Sequence, residues 1–205
     1  LCREKGLHVL LQRDLHMQLS ELEWIVSGYA LTFAALMLIG GKLADAYGRR
    51  LIFVLGIAIF TLASLACGLA SSGDALIGAR VAQGVGAAMM NPATLSIIAV
   101  TFPPRQRGTA IGLWAGVSAL ALALGPLVGG LLTEHAGWNW IFFINIPVGV
   151  LAIAASFLFI DESRDETHER LDIPGLLSSG IGLFALTYGL IEANNYGWTS
   201  PRILI

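Results

Sequence analysis

The chain has 205 residues, 56% of them hydrophobic and only 13% charged, with a formal net charge of −2. A water-soluble domain carries about 25% charged residues, so the composition argues against a soluble globular fold, and the slightly acidic balance argues against a nucleic-acid partner. The few charges are also clustered: residues 51–73, 81–104, 108–133, 136–160 and 173–191 contain no Asp, Glu, Lys or Arg, and each is close to the ~20 residues a helix needs to cross hydrocarbon.

Residues 1–20 are mixed and polar and read as a non-membrane N-terminal stretch. Ser20, followed three residues later by Glu23, has the form of a helix start. From there the chain predicts an all-α integral membrane protein with six spanning helices, at about 24–43, 51–70, 75–101, 108–133, 140–160 and 174–192. Residues 21–160 form one bundle, 161–173 a hydrophilic linker read as a solvated cytoplasmic loop, and 174–205 a further spanning helix with an external loop. The links at 42–50, 103–107 and 161–172 carry Lys42, Arg49, Arg50, Arg105, Arg107, Arg164 and Arg170, whereas 71–74 and 134–139 carry no Lys or Arg. Basic residues are retained on the cytoplasmic side, which places the first set inside a plasma (inner) membrane crossed several times. Arg3, Lys5 and Arg13 depart from that pattern. Trp138, Trp140, Tyr196 and Trp198 fall where an outer aromatic belt is expected. Cys67, inside an apolar span, reads as a small packing residue, and no residue spacing suits a metal or a catalytic group. The histidines His8, His16, His135 and His168 are scattered.

Four places carry more than topology. In the turn Gly41-Lys42-Leu43-Ala44-Asp45-Ala46-Tyr47-Gly48-Arg49-Arg50, Gly41 and Gly48 permit tight helix ends. Asp45 is placed to cap or to bridge the loop, and Arg49 and Arg50 hold it in the cytosol. The bases alone would serve as an anchor; Asp45 between two glycines points to a conformational latch. Arg80 lies about one and a half turns inside its helix, with Gln83 at i+3, and Asn91 shares the same face. Arg80 reads either as a rim residue that snorkels to water or as a buried cation facing a polar cavity. Gly112, Gly116, Gly125, Gly129 and Gly130 surround Pro126. Small residues four apart allow close helix contact, and Pro126 removes a backbone hydrogen bond and favours a bend. The run 138–147 opens the next helix with aromatic residues, a membrane-interface anchor in its simplest reading.

Taken together, these motifs make the chain similar to the major facilitator superfamily of transporters, and more narrowly to its fourteen-helix drug:proton antiporters. Gly41, Asp45, Gly48, Arg49 and Arg50 match the G-x-L-A-D-x-x-G-R-R loop. Arg80, Gln83 and Gly84 match the R-x-x-Q-G element. Gly112, Gly125, Pro126, Gly129 and Gly130 match the antiporter helix motif, and 138–147 resembles the W-x-W-I-F-x-I-N-x-P stretch. Ala46 stands where that loop usually carries a base, and Ala121 where the antiporter motif usually has a glycine. The resemblance covers about residues 10–205. It implies helices two to six of the family in 21–160, and an internal piece of a longer transporter, since the first helix and its intramembrane acid have no counterpart in residues 1–20. Residues 1–8 are compatible with a foreign or mis-framed start.

What the resemblance implies is proton-coupled export of small amphipathic or drug-like compounds by alternating access, with no cofactor beyond the proton gradient. In this reading Arg80, Gln83 and Asn91 serve coupling or line the path. Expected partners are the lipid bilayer, a small amphipathic substrate and, as a candidate, an accessory efflux protein. Facilitator-type movement of a siderophore or nutrient, or a transport-incompetent membrane piece, are the alternatives; an enzyme is not expected. The topology is tested with protease: residues 103–107 are expected to be cut in inside-out vesicles and protected in right-side-out ones.

Overall fold

The computed structural model describes residues 14, 15, 17, 19–164, 172–196 and 200. From Leu19 onward the helices among the described residues are, in order, α1 Leu19–Tyr47, α2 Arg49–Gly68, α3 Gly73–Thr101, α4 Pro104–His135, α5 Trp140–Phe143, α6 Asn145–Phe159 and α7 Ile173–Tyr196. Among the described residues five stretches are long and apolar enough to cross a membrane: Glu21–Tyr47, Arg49–Gly68, Gly73–Thr101, Pro104–His135 and Trp140–Phe159. The expected sixth span lies in α7, where Leu177–Leu190 is the apolar part among the described residues.

Several boundaries differ from expectation. Ser20 is already helical, so it does not cap α1. The helix also does not stop near residue 43. Lys42, Leu43 and Ala44 are good helix formers, and α1 runs on to Tyr47, so the expected ten-residue turn shrinks to Gly48. Likewise α4 starts at Pro104 behind Pro103, which places Arg105 and Arg107 in its first two turns. The span at 140–160 is broken at Ile144. Pro147 has no N–H to give the carbonyl of Phe143, which is enough to interrupt a helix there. Ser72 caps α3, its hydroxyl accepting from the Ala75 N–H at 3.3 Å.

The bundle is organised around α3. Lipid offers no hydrophobic drive for apolar helices to associate, so close backbone approach and polar contacts must hold them. On one side α3 runs parallel to α1. A Cβ on Gly84 would lie 2.7 Å from the Tyr29 carbonyl oxygen, and one on Gly40 would collide with the Ala88 carbonyl. The second contact has a cause in the sequence: Pro92 lacks the N–H that would normally bond Ala88 O. Gly40 covers that freed carbonyl, while Gly41, in mid-helix and not at a helix end, faces Pro92, whose Cβ would lie 3.4 Å from an added Cβ. On the other side α3 runs antiparallel to α2, where a Cβ on Gly86 would lie 2.6 Å from Phe60 N and one on Gly56 2.9 Å from Gly86 O.

The outer helices pack on this trio. α6 lies antiparallel to α2, with Gly149 against Thr61, whose buried hydroxyl has no partner among the described residues. α7 lies antiparallel to α1, with Gly180 3.4 Å from Ala35 O for a hypothetical Cβ and Tyr188 near Trp24, ring centroids 6.4 Å apart. At the end away from Arg49 and Arg50, Met17, Leu22, Ile25, Cys67, Leu76 and Trp138 form a buried cluster. Trp138 is only 4% exposed and donates its indole N–H to Asp14 at 3.2 Å. It is therefore a core residue and not the interface anchor its position suggested, whereas Trp140 is 50% exposed. Trp198 and residues 1–13 lie outside the described residues, as do the side chains of Ser20 and Tyr196.

The α1–α3 contact makes a paired prediction. Gly40→Leu is expected to destabilise the protein by ~1–3 kcal/mol or more, as overpacking against backbone does, and to lower the melting temperature in detergent. Gly78→Leu, where an added Cβ meets nothing within 4 Å, is expected to leave it unchanged.

Candidate functional site

Arg80 stands seven residues into α3, about 10 Å along its axis, which corrects the expected one and a half turns to two. Its Nε donates to the Ile25 carbonyl of α1 at 3.0 Å and its Nη1 to Gln83 Oε1 at 2.6 Å. The guanidinium lies over the ring of Tyr29, 4.3 Å from the centroid. Gln83 Nε2 donates to Ser64 Oγ of α2 at 2.6 Å. Asn145, at the start of α6, donates to the same oxygen at 3.4 Å. Four helices thus meet in one polar cluster. Insertion scales put an Arg at a helix centre at about 2.5–3.5 kcal/mol. Two hydrogen bonds from a charged donor, ~1.5–3 kcal/mol each, and a desolvated cation–π contact of up to ~2 kcal/mol are of the size needed to offset that cost. Arg80 is accordingly held inward. Its Nη2 makes no bond among the described residues.

Gln83 is 1% exposed, so it sits inside the helix packing and does not line an open cavity. Asn91, expected on the same lining, is half-buried farther along α3 and is not joined to this cluster.

A second polar cluster closes the opposite, basic end. Asp45, in the last turn of α1, receives Arg49 Nη2 at 3.0 Å and the Ser96 hydroxyl of α3 at 3.1 Å. Arg49 Nε also donates to Ser96 Oγ at 2.7 Å. Gly48 has φ +125°, a region L side chains avoid, and a Cβ there would lie 2.7 Å from Glu162 Oε1. Glu162 uses the space. Its two oxygens accept the N–H groups of Arg50 and Leu51 at 3.1 and 3.0 Å, donors that a helix start leaves unsatisfied and whose partial positive charge favours a carboxylate. Arg50 reaches back to the Ile160 carbonyl at 3.0 Å, and Arg49 N–H donates to Ser163 O at 2.8 Å. The linker expected to be wholly solvated therefore begins as a docked segment; residues 165–171 lie outside the described residues.

The glycines of α4 stand apart from both clusters. A Cβ added at Gly112, Gly116, Gly125, Gly129 or Gly130 meets nothing within 4 Å, and Leu113 and Leu122 are 71% and 80% exposed. The close helix contact that this spacing suits is not made by the described residues.

The described chain therefore combines apolar spanning helices, a half-buried guanidinium at one end and a charged helix clasp at the other. The family model described as Major Facilitator Superfamily matches residues 7–188. The chain belongs to the major facilitator superfamily. It is 40% identical to the tetracenomycin C resistance and export protein of Streptomyces glaucescens, over 95% of this chain and 36% of that protein. It is 41% identical to the methylenomycin A resistance protein of Bacillus subtilis (strain 168), over 95% of this chain and 42% of that protein. A solved bacterial homologue of the human lysosomal transporter Spinster shares the fold, with a TM-score of 0.57 at 22% identity, covering 97% of this chain and 52% of that one. The chain spans about two fifths of the length of these curated relatives. As a superfamily member it is a multi-pass protein of the plasma (inner) membrane, not an enzyme.

Sequence reasoning placed Arg80 with Gln83 because the pair lies within one helical turn; it gave Asp45 a capping or bridging role in the loop without naming Arg49 as the partner. It missed Tyr29, Ser64, Ser96 and Glu162, which other elements supply. Asn145 was read only as part of an aromatic anchor, although an Asn beside a helix-breaking Pro147 was a usable signal. Replacing Glu162 by Ala is expected to cost about 0.5–2 kcal/mol, the usual effect of losing a helix cap. Faster hydrogen exchange at the Arg50 and Leu51 amides would show it, with exchange in α6 unchanged.

Proposed function

We propose that the full-length protein carrying this sequence exports small amphipathic, drug-like compounds across the membrane, driven by the proton gradient. The observation that carries the reading is 40–41% identity, over 95% of this chain, to proteins named for antibiotic resistance and export. Transport would proceed by alternating access, two bundles rocking around a site near the midplane. The described helices supply one bundle. The uncovered glycine face of α4 suits close contact with the second, in the part of the relatives that this chain does not span. The docked basic end, Asp45–Arg49–Ser96 with Glu162 capping the start of α2, would steady one closed state. Arg80 serves coupling in this reading, because its unassigned Nη2 donors suit a carboxylate that gains and loses a proton.

The test is ethidium efflux from cells or energised vesicles. Arg80→Ala is expected to reach the membrane at wild-type levels and to lose gradient-driven efflux by about tenfold or more, the size of losing a charged group's hydrogen bonds. Efflux by that variant with the wild-type response to the proton gradient would remove Arg80 from the coupling role. Ethidium movement indifferent to the gradient in the wild type would favour a facilitator.

A further inference from the structure

The hydrogen bonds around Gln83 have only one consistent direction. A guanidinium donates and never accepts, so the Gln83 atom facing Arg80 must be Oε1, as in the 2.6 Å bond from Nη1. The amide nitrogen is thereby turned to Ser64, which must accept it at 2.6 Å. Ser64 can do so because its own proton is committed elsewhere, to the Phe60 carbonyl one turn back at 2.8 Å. Its oxygen also faces the Asn145 amide at 3.4 Å. Ser64 is 0% and Gln83 1% exposed, so solvent is excluded from this exchange of bonds.

We infer that Ser64 is a positioning residue for Arg80: its hydroxyl fixes the orientation of the Gln83 amide, which holds the guanidinium over Tyr29. The inference rests on the coupling role proposed for Arg80 and adds the group that sets it. Ser64 acts only through Gln83 and makes no hydrogen bond to Arg80. Without the hydroxyl, Gln83 Nε2 is a buried donor with no acceptor, an expensive arrangement that the amide escapes by turning or withdrawing. Arg80 then keeps only the Ile25 carbonyl and the Tyr29 ring. Among the described residues the titratable groups facing Arg80 are Tyr29 on α1 and Cys67 on α2; α5 and α6 contain no Asp, Glu, Lys, Arg, His, Cys or Tyr. Asn145 is the minor contributor, at the longest distance in the cluster.

The experiment compares wild type, Ser64→Ala, Ser64→Thr and Asn145→Ala of the full-length transporter in liposomes, with ethidium as probe. Ser64→Ala is expected to lower gradient-driven transport about tenfold, the size of losing a hydrogen bond to a charged group's partner. Gradient-free ethidium exchange should stay at the wild-type rate. Ser64→Thr, which keeps a hydroxyl, should restore driven transport, and Asn145→Ala should show a smaller loss of the same selectivity. Equal loss of both rates in Ser64→Ala, or no loss of either, overturns the assignment. Should Ser64→Ala fail to insert, the selectivity of Asn145→Ala decides by the same criterion. A transport-independent arm separates this inference from the coupling reading. In a melting-temperature cycle of Ser64→Ala and Arg80→Gln, positioning requires that the double variant melt no lower than the worse single one. Additive losses would overturn it even if Arg80 proves essential, and a coupled cycle would uphold it even if wild-type transport ignores the gradient.

Discussion

Close backbone contact between α3 and its two neighbours is the constraint on which this structure depends. In hydrocarbon, a leucine gains nothing by leaving lipid for another helix. What remains is dispersion between surfaces that fit and polar bonds short enough to form. Gly84 and Gly40–Gly41 serve the α1 side, Gly56 and Gly86 the α2 side. The polar cluster then follows from distance: the Gln83 amide spans from α3 to Ser64 at 2.6 Å only because the α2 and α3 backbones touch at Gly86. Larger residues at those glycines would lengthen the gap and strand the amide, so packing and chemistry are here one property.

The two polar clusters tie the same helices at opposite ends by different means. Near Ser64, side chains from α2, α3 and α6 share one hydroxyl oxygen, and α1 enters through a carbonyl and an aromatic face. At the basic end a carboxylate from beyond α6 occupies the start of α2, while Asp45, Arg49 and Ser96 join α1 to α2 and α3. α2 is therefore held at both termini by the α6 region. Among the described residues α4 receives no comparable ties, which is in keeping with a helix whose partner is supplied by another part of the protein.

The legibility of these features in the sequence followed the range of the interaction. Charge-free stretches disclosed the spanning helices, because hydropathy is a local sum. Arg80–Gln83 was readable because a three-residue spacing puts side chains on one helical face; for Asp45 only a capping or bridging role in a loop was readable, because its Arg49 partner stands across Gly48 on the next helix. Ser64 was not: a serine in an apolar span usually bonds the preceding turn, which it also does here, and its second role depends on a helix nineteen residues away. Glu162 was hidden in an acidic linker with the pattern of a solvated loop. Gly41 was misread as a helix end because glycine in sequence marks both a terminus and a close crossing, and only the position of Pro92 distinguishes them. Nothing in the sequence set Gly40 apart, although it makes the tighter contact.

One consequence follows from Gly48. A single residue joins a 29-residue helix to one of 20 residues, and Glu162 fills the space beside it. Such a joint has no slack, so the two rods behave as the arms of one crank. A tilt of α1 is inherited by α2 at once, and lengthening the joint by even one residue would uncouple them without altering either helix.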